Sequence, residues 1–157
     1  MRDKIYNKII FCHNKMSLSF LASHALQYTL GTPQTIGFFA WSIVNFDTVI
    51  YDKTPGDYNT STYIYTVPQT GVYNVSVDLT TDFFDASGLY LNVNGNTVFL
   101  STPSFPGYSS SSNSINGQTN LLLTAGDSVS AYIQTEIGSG DLLSGVYNAR
   151  FSITSLF

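Results

Sequence analysis

Asp82 and Asp85 flank Phe83 and Phe84 just after a strand-like stretch. Carboxylate oxygens are the ligands calcium prefers, so this pair is the chain's weak calcium candidate. Two carboxylates are too few for a cage, and the segment lacks EF-hand spacing. The alternative is that both phenylalanines tuck under the end of a folded layer, or contact a partner from a loop tip. Other chemistry is poorly supplied. Nucleophilic catalysis needs a base, and the histidines are His13 and His24, both expected outside the folded core. Glu136 is the only glutamate, and the aspartates fall mostly on turns, so paired carboxylates for glycoside cleavage are not expected. Cys12 stands alone, which rules out an intramolecular disulfide, and no Cys or His cluster has metal-ligand spacing. The glycines sit in turns and none opens a phosphate-binding loop before a helix. The expectation is a non-enzymatic protein with no cofactor beyond that calcium candidate.

The chain of 157 residues suits one domain, long enough to bury a core without disulfides or metal. Charged residues make up 10%, against about 25% in ordinary globular domains, so the surface must be built from Ser, Thr, Asn, Gly and Tyr. Such surfaces suit packing of one subunit against another. Net charge is −4, unevenly spread. Arg2, Lys4, Lys8 and Lys15 face only Asp3 in the first fifteen residues, whereas Lys53 and Arg150 face nine acids in the rest. Phosphate contacts need clustered Lys and Arg, so nucleic acid is not an expected partner.

Residues 1–35 do not follow a strand pattern. They are read as an arm or leader, either docking or loosely packed, and Met16 offers a second start within them. The stretch is too short and interrupted to span a membrane and only weakly resembles a signal peptide. From Ile36 onward a β pattern begins. Ile36–Val44 is a continuous apolar run, expected to be a strand buried on both faces with Trp41 in the core. Thr62–Val67 reads as a strand ended by Pro68. After Gly71, inward Tyr73, Val75, Val77 and Leu79 alternate with Asn74, Ser76 and Asp78. Asn94-Gly95, between Leu89, Leu91, Val93 and Val98, Leu100, predicts a two-residue hairpin with positive φ at both turn positions. Ser101–Asn113 is a loop by composition, and Phe105 and Tyr108 on it are candidate partner contacts. Asn120–Thr124 and Ser128–Thr135 are joined at Ala125-Gly126-Asp127, with Tyr132 among the outward set. Tyr147, Ala149, Phe151 and Ile153 share the face of a closing strand expected in the sheet interior. Asn59-Thr60-Ser61 and Asn74-Val75-Ser76 match the glycosylation pattern, which matters only on a eukaryotic secretory route. Eight or more short strands with no convincing helix mean an all-β, antiparallel β-sandwich over residues 36–157, best fitted by a jelly roll.

One stretch carries a family resemblance. Phe46 and Asp52 have five residues between them, Tyr58 follows, then Tyr65, Gly71 and Tyr73. This resembles the globular head of the complement first component's q subunit, a relative of the tumour necrosis factor fold. Tyr58 falls one residue late, and Val75 and Val77 replace the usual aromatics. Downstream, Leu89–Val98, Leu121–Tyr132 and Arg150–Phe157 resemble the family's later strands, with Phe151 in the closing one. The resemblance implies a homotrimer whose loops at the far end bind a protein or carbohydrate ligand, and the place expected for it is outside the cell or on a cell, spore or virion surface. No Gly-X-Y repeat or heptad precedes the head region, so trimerisation would come from the head or a separate partner. The competing reading is a structural jelly roll of a viral capsid, spike or surface layer. A calcium-dependent lectin-like module is a third.

Overall fold

A computed structural model describes residues 24–82, 86–102, 113–135 and 139–156. No helix occurs among them. The strands are β1 (Ala25–Thr29), β2 (Gln34–Ile36), β3 (Trp41–Ile43), β4 (Thr48–Asp52), β5 (Tyr58–Asn59), β6 (Ile64–Thr66) and β7 (Gly71–Thr81), then β8 (Ala86–Val93), β9 (Asn96–Ser101), β10 (Asn113–Leu123), β11 (Ser128–Thr135), β12 (Gly140–Leu142) and β13 (Ala149–Ser155). They form two antiparallel sheets. The first runs β2-β12-β7-β13-β1-β4, with β10 on the other side of β7. The second runs β5-β6-β11-β8-β9, with β3 also on β11.

Alternation explains how the sheets close on each other. In β7, Tyr73, Val75, Val77 and Leu79 are buried between half-buried Asn74, Ser76 and Asp78. Val129, Ala131 and Ile133 in β11 of the second sheet supply opposing side chains, and Phe151 and Ile153 in β13 extend the β7 face within the first sheet. Burying apolar area contributes ~25 cal/mol per Å², so these faces drive the collapse. The predicted hairpin forms: Asn94 and Gly95 have φ of 52° and 84°, and Val93 pairs with Asn96.

Four expectations are corrected. The sandwich begins before Ile36: β1 lies inside the first sheet between β13 and β4, so the assigned boundary between a 1–35 arm and the domain falls within folded structure. Ala25, Leu26, Tyr28 and Thr29 are all buried, which erases the period of two. Thr29 is buried because its Oγ1 donates to the Ala149 carbonyl, 2.6 Å away. Second, Ile36–Val44 is not one buried strand. It breaks at Gly37–Ala40, leaving Phe38 66% and Phe39 79% exposed, and Trp41 is 44% exposed rather than in the core. Thr135, itself buried, pins this break: its Oγ1 donates to the Gly37 carbonyl and accepts from the Ala40 N–H. Third, the strand read from Asn120 begins at Asn113, inside the expected loop, and β10 pairs along its full length with β7. Fourth, Tyr147 lies outside β13 and is 95% exposed.

Candidate functional site

The residues that carried the family resemblance converge at the core. Phe46 stacks on Phe151 at 5.5 Å, and Tyr58 meets Phe151 at 5.8 Å. Tyr28, from β1, packs on Tyr58 at 4.3 Å. Tyr65 and Tyr73 meet edge to face at 6.3 Å, and Tyr73 Oη donates to the Gln69 carbonyl, tying Gly71 and β7 to the preceding corner. Asp52 accepts a hydrogen bond from Tyr28 Oη at 2.8 Å and from the Thr54 N–H at 2.9 Å. Burial, then the hydrogen bond and charge of Asp52, push the Tyr28 phenol up to about 12. Tyr58 and Tyr65 are raised further, chiefly by burial, and Tyr58 Oη is buried without a hydrogen-bond partner. Buried phenols held neutral in this way pack the sandwich. They offer no acid or base near neutral pH.

The residues weighed for other chemistry lie apart from this cluster or are already bonded. His24 lies against the sandwich, which corrects its expected place outside. Its Nδ1 is 3.3 Å from Asp57 Oδ2, close but without the alignment of a hydrogen bond, and its backbone N–H donates to Ser155 Oγ. Ser155 is only 3% exposed, so a substrate carbonyl has no approach to that oxygen. Asp82 uses its carboxylate to accept the Asp141 N–H, fastening β12 beside β7. The second calcium candidate, Asp85, and the candidate contacts Phe83, Phe84, Phe105 and Tyr108 lie outside the described residues. Among the described residues no three His, Cys, Asp or Glu side chains come together as a metal site, and no helix is long and apolar enough to cross a membrane.

What remains is two solvent-facing sheet surfaces of different character. On the first sheet, Gln118, Ser76, Ser152, Gln27 and Tyr51 form one cross-strand row over β10, β7, β13, β1 and β4. A neighbouring row carries Asn116, Asp78 and Arg150, with Arg150 Nη2 3.1 Å from Asp78 Oδ2. A polar cleft of about 160 Å³ opens beside this pair. On the second sheet, rings touch from strand to strand: Phe99 to Tyr90 at 5.5 Å, Tyr90 to Trp41 at 4.6 Å, and Trp41 to Tyr132 at 5.9 Å. Tyr90 Oη donates to Gln134 Oε1 at 3.1 Å. Sequence reasoning missed this strip. Its one signal was Tyr132 alternating with Ser130 and Gln134, which marks a ring pointing outward.

Two antiparallel sheets, closed by long β7 and β10 on one side and β8 and β11 on the other, define an all-β jelly-roll head. No protein-family model matches the chain, and no curated protein matches it. Solved structures do match. The globular domain of the zebrafish complement 1qA protein superposes with a TM-score of 0.64 at 20% identity, covering 85% of this chain and 98% of that one. Murine APRIL gives 0.63 at 14% identity with the same coverage. Eiger TNF from S. frugiperda gives 0.57 at 18% identity, covering 88% of this chain and 93% of that one. The fold is therefore the one shared by complement globular heads and tumour necrosis factor ligands.

Proposed function

We propose that the chain is a non-enzymatic, homotrimeric recognition head that binds a protein or carbohydrate ligand outside the cell or on a spore or virion surface. The observation that carries this reading is the open face of the first sheet. The row Gln118, Ser76, Ser152, Gln27 and Tyr51 spans five strands without an ionised side chain. Small hydroxyls and amides on a flat sheet let another backbone approach closely and keep hydrogen bonds available when water leaves. Exposed Val49, Ile50 and Tyr51 on β4, and exposed Leu122 on β10, add apolar contact at the two sides of that face. Three such faces around one axis cover one another and leave the second sheet and the loops for ligand.

Light scattering on the full chain tests the proposal. A stable species of three times 17.2 kDa is expected across the micromolar range. A monomer at every concentration overturns the trimeric head. The same result favours the alternative of a shell component ordered only in a larger assembly, for which the apolar β4 margin would be the contact.

A further inference from the structure

We propose that the outward face of the second sheet is a binding site for a short neutral saccharide, seated on Trp41 and Tyr132. This deepens the recognition-head reading and rests on it only for the biological use of the site. The strands that build the face, β3, β8, β9 and β11, contain no Asp, Glu, Lys, Arg or His. An anionic ligand would find no counter-charge there, and its desolvation against the negative faces of the rings would be unfavourable. An uncharged ligand meets no such barrier.

The composition of the face matches polyhydroxylated sugar in both of its aspects. A pyranose ring has a flat side of C–H bonds, polarised positive, which the negative face of an aromatic ring attracts. Trp41 and Tyr132 are the most nearly parallel pair of the strip, at 29° and 5.9 Å. Trp41 is only partly covered and keeps 44% of its surface open. Beside the rings stand groups for the sugar hydroxyls. Gln134 lies opposite Trp41 in the β11–β3 register and is fixed by the Tyr90 hydroxyl. Asn92 and Thr97 form the next cross-strand pair beyond Tyr90 and Phe99. Strands lie about 4.8 Å apart, close to the length of one sugar unit, so neighbouring strands present successive units with a ring or an amide.

The ring area left open on the strip suits a small ligand. Trp41 and Phe99, at 44% and 55% exposed, offer together about 200 Å² if a free aromatic side chain presents roughly 200 Å². A protein partner needs about 800 Å² per side. Gly88 helps to shape the floor: a Cβ there would fall 2.6 Å from the Tyr90 ring, so glycine lets that ring lie against the sheet beside Trp41.

Trp41 is the only tryptophan of the chain, so its fluorescence reports the site directly. The full chain is titrated with cellohexaose, maltohexaose and mannohexaose, and with a heparin hexasaccharide as the charged probe. At least one neutral sugar is expected to shift Trp41 emission saturably, equally at low and high salt. Tyr132→Ala should raise its Kd about tenfold, the loss of one stacking platform, while Tyr132→Phe stays within about twofold. The proposal is overturned if no neutral sugar changes the emission, if only the charged sugar does, or if Tyr132→Ala binds like the parent while folded. It is also overturned if emission depends on protein concentration without sugar, because the strip would then be covered by a second copy. Light scattering on the same samples separates the two readings. A trimer that ignores sugar ends this inference alone, and a sugar-binding monomer ends the trimer alone.

Discussion

The two sheets bury the same kind of face and expose opposite ones. Inward, Val75, Val77, Ile133 and Leu91 are interchangeable in character, and β7 and β13 of the first sheet and most of β11 of the second pack by a period of two. Outward, the first sheet presents Ser76, Ser152, Gln118 and the Asp78–Arg150 pair, while the second presents Trp41, Tyr90, Tyr132 and Phe99 without a charge. Folding needs only the inward pattern. The proposed trimer and ligand site divide along this difference: small side chains where another sheet can lie flat, rings where a ligand can sit.

Removing the shared core should have the largest effect, and it should not discriminate between the sheets. Phe151 sits on β13 of the first sheet and touches Phe46 and Tyr58. Phe151→Ala should cost about 3–5 kcal/mol, by lost transfer energy and the cavity left behind. Urea unfolding should show one earlier transition by both far-ultraviolet circular dichroism and Trp41 emission. A variant that melts the first sheet while Trp41 emission stays native would mean that the sheets do not share one core. The next test separates the faces. Ser76→Arg places a long cation in the middle of the first sheet's row and should convert the trimer to monomer, whereas Thr97→Arg on the second sheet should leave the mass unchanged. As exposed or half-exposed positions, both should alter monomer stability by no more than about 0.5 kcal/mol. Equal masses for the two variants would refute the division of labour.

The parts of this arrangement that show in the sequence follow from the same contrast. β7 is legible because Tyr73–Leu79 pays one buried residue in two, and the hairpin at Asn94-Gly95 because few residues accept positive φ. β1 is not, because a threonine satisfied by the Ala149 carbonyl reads as polar although it is buried. The segment Ile36–Val44 misleads in the opposite sense. Its rings are apolar by composition, but the Thr135 clamp turns the chain and points Phe38, Phe39 and Trp41 outward. Composition reports that a residue avoids water. It does not say whether its own core or a ligand does the covering. The face proposed for trimer contact is faint for another reason: Ser, Asn, Gln and Thr are what any solvated strand shows.

Alkaline pH gives a smaller effect that locates the polar part of the core. An unfolded tyrosine ionises near 10, and in the folded chain Tyr28 ionises at about 12. The fold thus favours the protonated phenol. That contribution is complete below pH 10 and is lost as pH rises from about 10 to about 12. Tyr58 and Tyr65 shift in the same direction, so the urea midpoint should fall over this window, and Tyr28→Phe should flatten part of the fall. An unchanged slope in Tyr28→Phe would remove Tyr28 and Asp52 from the account.

The smallest effect tests the seam between the sheets. The Asn94-Gly95 turn of the second sheet meets the turn that leads from β10 of the first sheet into β11 of the second. Asn94 Nδ2 donates to Asp127 Oδ1 at 2.7 Å, and Asn94 Oδ1 accepts the Ser128 N–H at 2.8 Å. Asp127 Oδ2 accepts the Thr124 N–H, and this bond, with that from Asn94, holds its carboxyl below the usual range. Asn94→Ala loses both bonds and must hold φ near 52°, which alanine resists, so about 1–2 kcal/mol should be lost. Asn94→Gly keeps the backbone relaxed and loses only the bonds, so it should cost less, about 1 kcal/mol. The depressed Asp127 pKa makes its contribution present above pH 4 and lost as pH falls through the folded value. In Asn94→Gly that acid dependence should weaken. If alanine and glycine cost the same and the acid limb is unmoved, the seam is held by backbone pairing alone, and the two faces are joined only through the aromatic core.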